Sequence, residues 1–90
     1  MDERIEAEGL AMPDGETPGE RLSVVRAVLA RNLHAERVRR GLSPRDVIER
    51  TGMPSSRVTA IETGRGNATI DDMVKLAAIL KTPLWKLLKP

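Results

Sequence analysis

What most constrains this chain is its punctuation. From Thr17 onward it is cut at short intervals by helix start and stop signals. Thr17-Pro18-Gly19-Glu20 sets a hydroxyl before a proline, with Glu three residues after the cap. Such a hydroxyl accepts an unpaired N–H of the first turn, and proline at the first helical position lacks an N–H that the helix does not use there. Ser43-Pro44-Arg45-Asp46 repeats the pattern, and Thr69-Ile70-Asp71-Asp72 repeats it without the proline. Gly41, Gly52 and Gly64 stand where helices between these starts would stop. Thr82-Pro83 opens one more element. The signals predict five short helices. The first runs from Thr17 to Gly41, as one helix or as two pieces. The second and third cover roughly 44–51 and 54–63, the fourth runs to Leu80, and the fifth carries Leu84, Trp85, Leu87 and Leu88.

The apolar residues fit this division. Leu22, Val25, Val28, Leu29 and Leu33, with Val38 nearby, recur at helical spacing. Ile70, Met73, Val74, Ala77 and Leu80 are expected on the inner side of the fourth helix. No internal repeat and no strand-like alternation is present. With one Trp and neither Phe nor Tyr, the core must be aliphatic. The expected fold class is all-α, a compact five-helix bundle whose core is small enough that dimerisation would stabilise it. Residues 1–16, with Gly9, Pro13 and Gly15 and little periodicity, are expected to form a flexible acidic arm ahead of a domain over 17–90.

Several function classes find no support. There is no cysteine, hence no disulfide framework and no thiolate metal site, which fits a reducing cytoplasm. No apolar run approaches the roughly 20 residues of a membrane span. The start MDERIEAEGL lacks the apolar core of a secretory leader. His34 is the single histidine, and no phosphate-binding glycine loop or metal-ligand spacing accompanies it. Asp71 and Asp72 are explained by a helix N-terminus, where acids oppose the dipole. Neither an enzyme nor a cofactor is expected.

Charge points elsewhere. Residues 1–20 hold seven acids and one base, Arg4. Residues 21–90 hold fourteen Lys or Arg against six Asp or Glu, a net of +8. Such a segment suits a polyanion, although surface Lys and Arg also serve solubility.

The second and third helices carry the sharper signal. A short helix, a glycine and a second helix with Val58 and Ile61 inward follow the helix-turn-helix plan, with Val47 and Met53 holding the crossing. At 100° per residue, Ser56, Ala60 and Thr63 fall opposite Val58 and Ile61, flanked by Thr59 and Arg57. A solvated helix face ordinarily carries Glu and Lys, the better helix formers. This face has small residues and no acid at its outermost positions, and small residues let a helix sit deep in a DNA major groove. Ser and Thr hydroxyls donate or accept, Ala60 and the Thr59 methyl suit a thymine methyl, and Arg57 reaches guanine or phosphate. Ser55, in the first turn, lies where backbone N–H groups favour phosphate. Glu62 falls at the edge of the core, where an unpaired carboxylate is unfavourable. Arg37, one turn beyond Leu33, is the candidate partner; the other arrangement puts Arg37 on phosphate and leaves Glu62 in water.

These residues carry a resemblance. GLSPRDVIERTGMPSSRVTAIETGRGNATIDDMVKLAAIL, residues 41–80, resembles the phage repressor and Cro family of helix-turn-helix proteins, the Xre family. The likeness runs from about Leu29 to Leu88. Its most specific pieces are Gly41-Leu42-Ser43, Gly52, and Val58-x-x-Ile61-Glu62-x-Gly64 with Asn67 shortly after. It implies a five-helix, lambda-repressor-like DNA-binding domain with its helix-turn-helix at 44–63, dimeric binding to palindromic DNA, and transcriptional regulation. It also implies the Arg37–Glu62 ion pair. Carried over by position, it assigns base reading to Ser55, Ser56, Thr59 and Ala60, and base or phosphate contact to Arg57. Ser43 and the start of the second helix with Arg45, and likewise Thr63, Arg65 and Asn67, are placed against the DNA backbone. The chain departs from the pattern at Pro44, where a common Gln would contact phosphate, and at Ile48, where a small Ala is usual and the larger side chain widens the crossing. Thr51 stands where an apolar residue is common, and Pro54 stands in place of a Ser cap.

The function expected is therefore a sequence-specific DNA-binding transcriptional regulator, a dimeric repressor on a palindromic operator. The alternative is an antitoxin or accessory protein whose main partner is another protein, with DNA binding for autoregulation; the acidic arm motivates it. Leu84, Trp85, Leu87 and Leu88 either close the monomer core or take part in a dimer contact, and Leu22, Val24 and Val25 are an equal candidate for that contact.

Overall fold

The computed structural model describes residues 17–90. It is all-α, and no strand occurs among the described residues. The helices are α1 (Pro18–Arg39), α2 (Pro44–Thr51), α3 (Ser55–Glu62), α4 (Ile70–Ile79) and α5 (Leu84–Leu87). The arrangement is consistent with a lambda-repressor-like fold.

The start signals act as local chemistry requires. The Thr17 hydroxyl accepts from the Glu20 N–H, and α1 then runs unbroken for 22 residues. Ser43 and Asp46 form a reciprocal capping box at α2, and Thr69 and Asp72 form one at α4. α1 ends where Gly41 turns to a φ of 68°, letting the Leu42 N–H reach back to the Arg37 carbonyl.

α1 packs across α3 and α5, α2 lies against α3 and α4, and α4 meets α5. The core is aliphatic: Leu29 and Leu33 from α1, Val47 from α2, Val58 and Ile61 from α3, with Leu76, Leu80 and Leu87 the most enclosed. A polar tie crosses the far end of α1. Glu36 accepts from Arg39 and from the Thr82 hydroxyl, and Arg40 lies 3.7 Å away. The Arg39 hydrogen bond, supported by Thr82 and Arg40, outweighs partial burial and holds the Glu36 carboxyl below its usual range.

One expectation about an apolar face is corrected. Ile70 and Val74 are 66% and 52% exposed, and Leu76 faces the core instead. The inner face of α4 follows 72, 73, 76, 77 and 80, a rotation of roughly 70° from the apolar stripe at 100° per residue. Asp72 turns inward because its carboxylate is occupied by the cap and by an arginine, so an acid lies on the buried side. Leu22, Val24 and Val25 are exposed at the start of α1, while Leu29 and Leu33 are buried. Trp85 is mostly exposed, with the Lys86 ammonium 5.8 Å from its ring centroid, whereas Leu87 closes the core.

Candidate nucleic-acid interface

α3 is positioned by the turn before it and by the loop after it. Gly52 takes a φ of 71°, a conformation open to glycine at no steric cost. Thr51, where an apolar residue was the common pattern, bonds at both ends of this turn. Its hydroxyl donates to the Val47 carbonyl at 2.6 Å and accepts from the Met53 N–H at 3.2 Å. Ile48 is half-buried at the edge of the core. Pro54 provides no capping side chain, and its carbonyl accepts from Arg57 and Val58. At the other end the Ala60 carbonyl accepts from both the Arg65 and Gly66 N–H groups. A Cβ on Gly66 would lie 2.8 Å from that of Ala60, so this loop approaches α3 as closely as only glycine allows.

Val58 and Ile61 are buried, and Ser55, Ser56, Arg57, Thr59 and Thr63 are exposed. Ala60 is half-buried against Gly66. The Thr63 hydroxyl donates to the Thr59 carbonyl at 2.8 Å, so it faces an outside partner chiefly as an acceptor. Arg57 leans toward α4, with Nη1 3.4 Å from Asp72 Oδ1.

Arg37 and Glu62 meet at the end of α3. Arg37 Nε donates to Glu62 Oε1 at 2.7 Å, and Nη1 donates to the Leu42 carbonyl at 2.8 Å. The two side chains are 13% and 15% exposed. One guanidinium thus joins α1, α3 and the loop before α2, and its donors point inward. His34, missed in the sequence, belongs to this group: Nδ1 lies 3.0 Å from Glu62 Oε1. Its place one turn before Arg37 on α1 was the available signal. These three side chains, with Pro44, Val58, Thr59 and Thr63, line an open cleft of about 270 Å³. The start of α2 therefore lies beside the exposed flank of α3.

The remaining expected contacts are dispersed. Ser43 is exposed, but its hydroxyl and N–H are both engaged by Asp46. Arg45 and Arg65 are exposed, one at each side of the motif. Asn67 accepts from Arg26 of α1 and lines a separate cleft with Leu22, Val25 and Met73. Arg26 and Asp72 are the other partners that sequence reasoning missed. Among the described residues no cluster of His, Asp and Glu is arranged to hold a metal ion, and no helix is long and apolar enough to cross a membrane.

Residues 28–84 match the family described as a helix-turn-helix domain. The chain belongs to this helix-turn-helix family. A hypothetical transcription factor from Neisseria meningitidis serogroup B is 35% identical to it over 66 residues, which is 73% of this chain and 62% of the relative. The helix-turn-helix chain thus spans less than two thirds of that relative's length. The crystal structure of the hypothetical transcription factor NHTF from Neisseria matches it with a TM-score of 0.71 at 31% identity, over 90% of each chain. Within the helix-turn-helix protein, the matched stretch begins inside α1 and ends at the first residue of α5, so it takes in all of α2, α3 and α4.

Proposed function

We propose that this chain is a sequence-specific DNA-binding transcriptional regulator that places α3 in the major groove and represses by occupying a palindromic operator as a homodimer in the cytoplasm. The observation that carries this reading is the exposed face of α3. Ser55, Ser56 and Thr59 stand in solvent on a helix whose opposite side is locked into the core by Val58 and Ile61. Such a helix presents hydroxyls and a methyl group to base edges, and Arg57 is its one long exposed side chain. Arg45 and Arg65 flank it and suit phosphates. The exposed Ser43 hydroxyl, which accepts from the Asp46 N–H, has its proton to donate to phosphate, while Thr63, whose proton goes to the Thr59 carbonyl, reaches phosphate through bridging water. Base reading falls to Ser55, Ser56, Arg57, Thr59 and, at the margin, Ala60. Arg37 and Glu62 serve structure.

Dimer formation draws support from the apolar side chains left in solvent, Leu22, Val24 and Val25 on α1 and Trp85 and Leu88 near the C-terminal end. The same side chains also give the second reading, a protein partner, its surface. The acidic arm that motivates that partner falls in residues 1–16, outside the described residues. No catalytic step and no cofactor enters either reading.

The test is selection from a pool of duplexes with a randomised centre. The reading expects an enriched palindrome with half-sites about 34 Å apart, one helical turn. A pool that enriches no motif contradicts it. Stoichiometric capture of another protein by a chain with no DNA preference favours the second reading.

A further inference from the structure

Arg57 is the one long side chain on the exposed face of α3, and its Nη1 lies 3.4 Å from Asp72 Oδ1. Its side chain is half in solvent, 51% exposed, while the side chain of Asp72, whose carboxylate it meets, is 4% exposed. Asp72 is fixed from the other side: its Oδ2 accepts from the Thr69 N–H at 3.1 Å, and its own N–H donates to the Thr69 hydroxyl at 3.0 Å. Oδ1 is therefore the oxygen turned toward α3. The carboxylate keeps its charge. Burial pushes its pKa up, but the two Thr69 bonds and the Arg57 charge outweigh burial and hold the group below its usual range. A guanidinium has five N–H donors in a planar fork, so a bond from Nη1 leaves most of them available and restricts where the fork can point.

We propose that Asp72 is a positioning residue for base recognition: from α4 it braces Arg57 so that the free edge of the guanidinium meets O6 and N7 of a guanine in the major groove. This rests on the reading that α3 enters that groove. Guanine presents two adjacent acceptors there, and the fork matches both at once. A brace removes rotamer freedom before DNA arrives, which raises discrimination without adding a contact. An arginine held only for phosphate needs no such orientation, since a phosphate takes charge from many directions and carries no base identity.

The experiment repeats the duplex selection with the full chain and with Asp72→Asn, Asp72→Thr, Arg57→Ala and Arg57→Lys, followed by titration of single-base variants of the winning duplex. Asn at 72 keeps an oxygen for the Thr69 N–H and removes the charge; Asp72→Thr serves if thermal melting shows the Asn variant unfolded. The wild-type motif is expected to hold one guanine per half-site preferred by about tenfold or more, and that preference should fall below about threefold in the Asp72 variants and in both Arg57 variants. Preferences at the other positions should persist. The inference is overturned if Asp72→Asn selects the wild-type motif unchanged or weakens every position equally. It is overturned too if Arg57→Ala reduces only the salt dependence, which marks a phosphate contact. A wild-type chain that enriches no motif removes the groove reading itself, and the brace with it.

Discussion

At the scale of single residues, two charged pairs fix α3 at its two ends. Arg37 and Glu62 are nearly enclosed, and Arg37 also holds the Leu42 carbonyl. Removing one partner leaves the other enclosed without compensation. Glu62→Ala should lower stability by about 2–4 kcal/mol in denaturant unfolding, the lower figures reflecting residual solvent contact. A change within a few tenths would show that the pair is idle. Gly66→Ala should cost about 1–3 kcal/mol through contact with Ala60, read in the same assay. The need of Glu62 for a partner is legible in the sequence, because a carboxylate at a core edge demands one. Asp72 is different. A capping box already accounts for an acid at that position, so nothing local signals that Arg57 also reaches it. The links from Arg26 to Asn67 and from His34 to Glu62 join residues far apart in sequence, and only the packing of α1 on the rest brings them together.

At the scale of elements, the helix boundaries are the most legible feature, because caps are short-range. Ser43 with Asp46 and Thr69 with Asp72 each satisfy N–H groups within one turn. The rotation of α4 is not legible: apolar residues occur on both of its sides, and the buried side is the one that also carries the acid Asp72. One helix end also escapes the glycine rule. After α4 the left-handed position is taken by Lys81, at a φ of 50°. A side chain with a Cβ is strained there, whereas glycine is not. Lys81→Gly should therefore raise stability by about 0.5–1 kcal/mol, visible as a higher melting temperature. A lower melting temperature would mean that the Lys81 side chain contributes more than its backbone loses.

At the scale of the whole molecule, three carboxylates among the described residues are each held below their usual range. Arg39 acts on Glu36 and the Ser43 bonds act on Asp46. At Asp72 burial works the other way, and Thr69 and Arg57 outweigh it. A carboxyl whose pKa is lower folded than unfolded binds its proton more readily in the unfolded chain. Its contribution is complete above the ordinary carboxylate range and is lost as the pH falls through the folded value. The melting temperature should thus decline below about pH 4, and Asp46→Asn should make the decline shallower. A melting temperature constant down to pH 2 would contradict this. The exposed apolar side chains of α1 and the C-terminal end belong to this scale as well, since the sequence leaves open whether they fill the core or meet a second copy, and only the packing shows Leu22, Val24, Val25 and Trp85 in solvent.

The central claim is that the exposed face of α3 reads DNA sequence. The most direct measurement titrates the chain against its best selected duplex and a scrambled duplex of the same composition, at two salt concentrations. A preference of about 10³-fold or more for the selected duplex is expected at both. Equal binding to both duplexes, weak and falling together as salt rises, would mean that only the basic surface is at work and that α3 reads nothing.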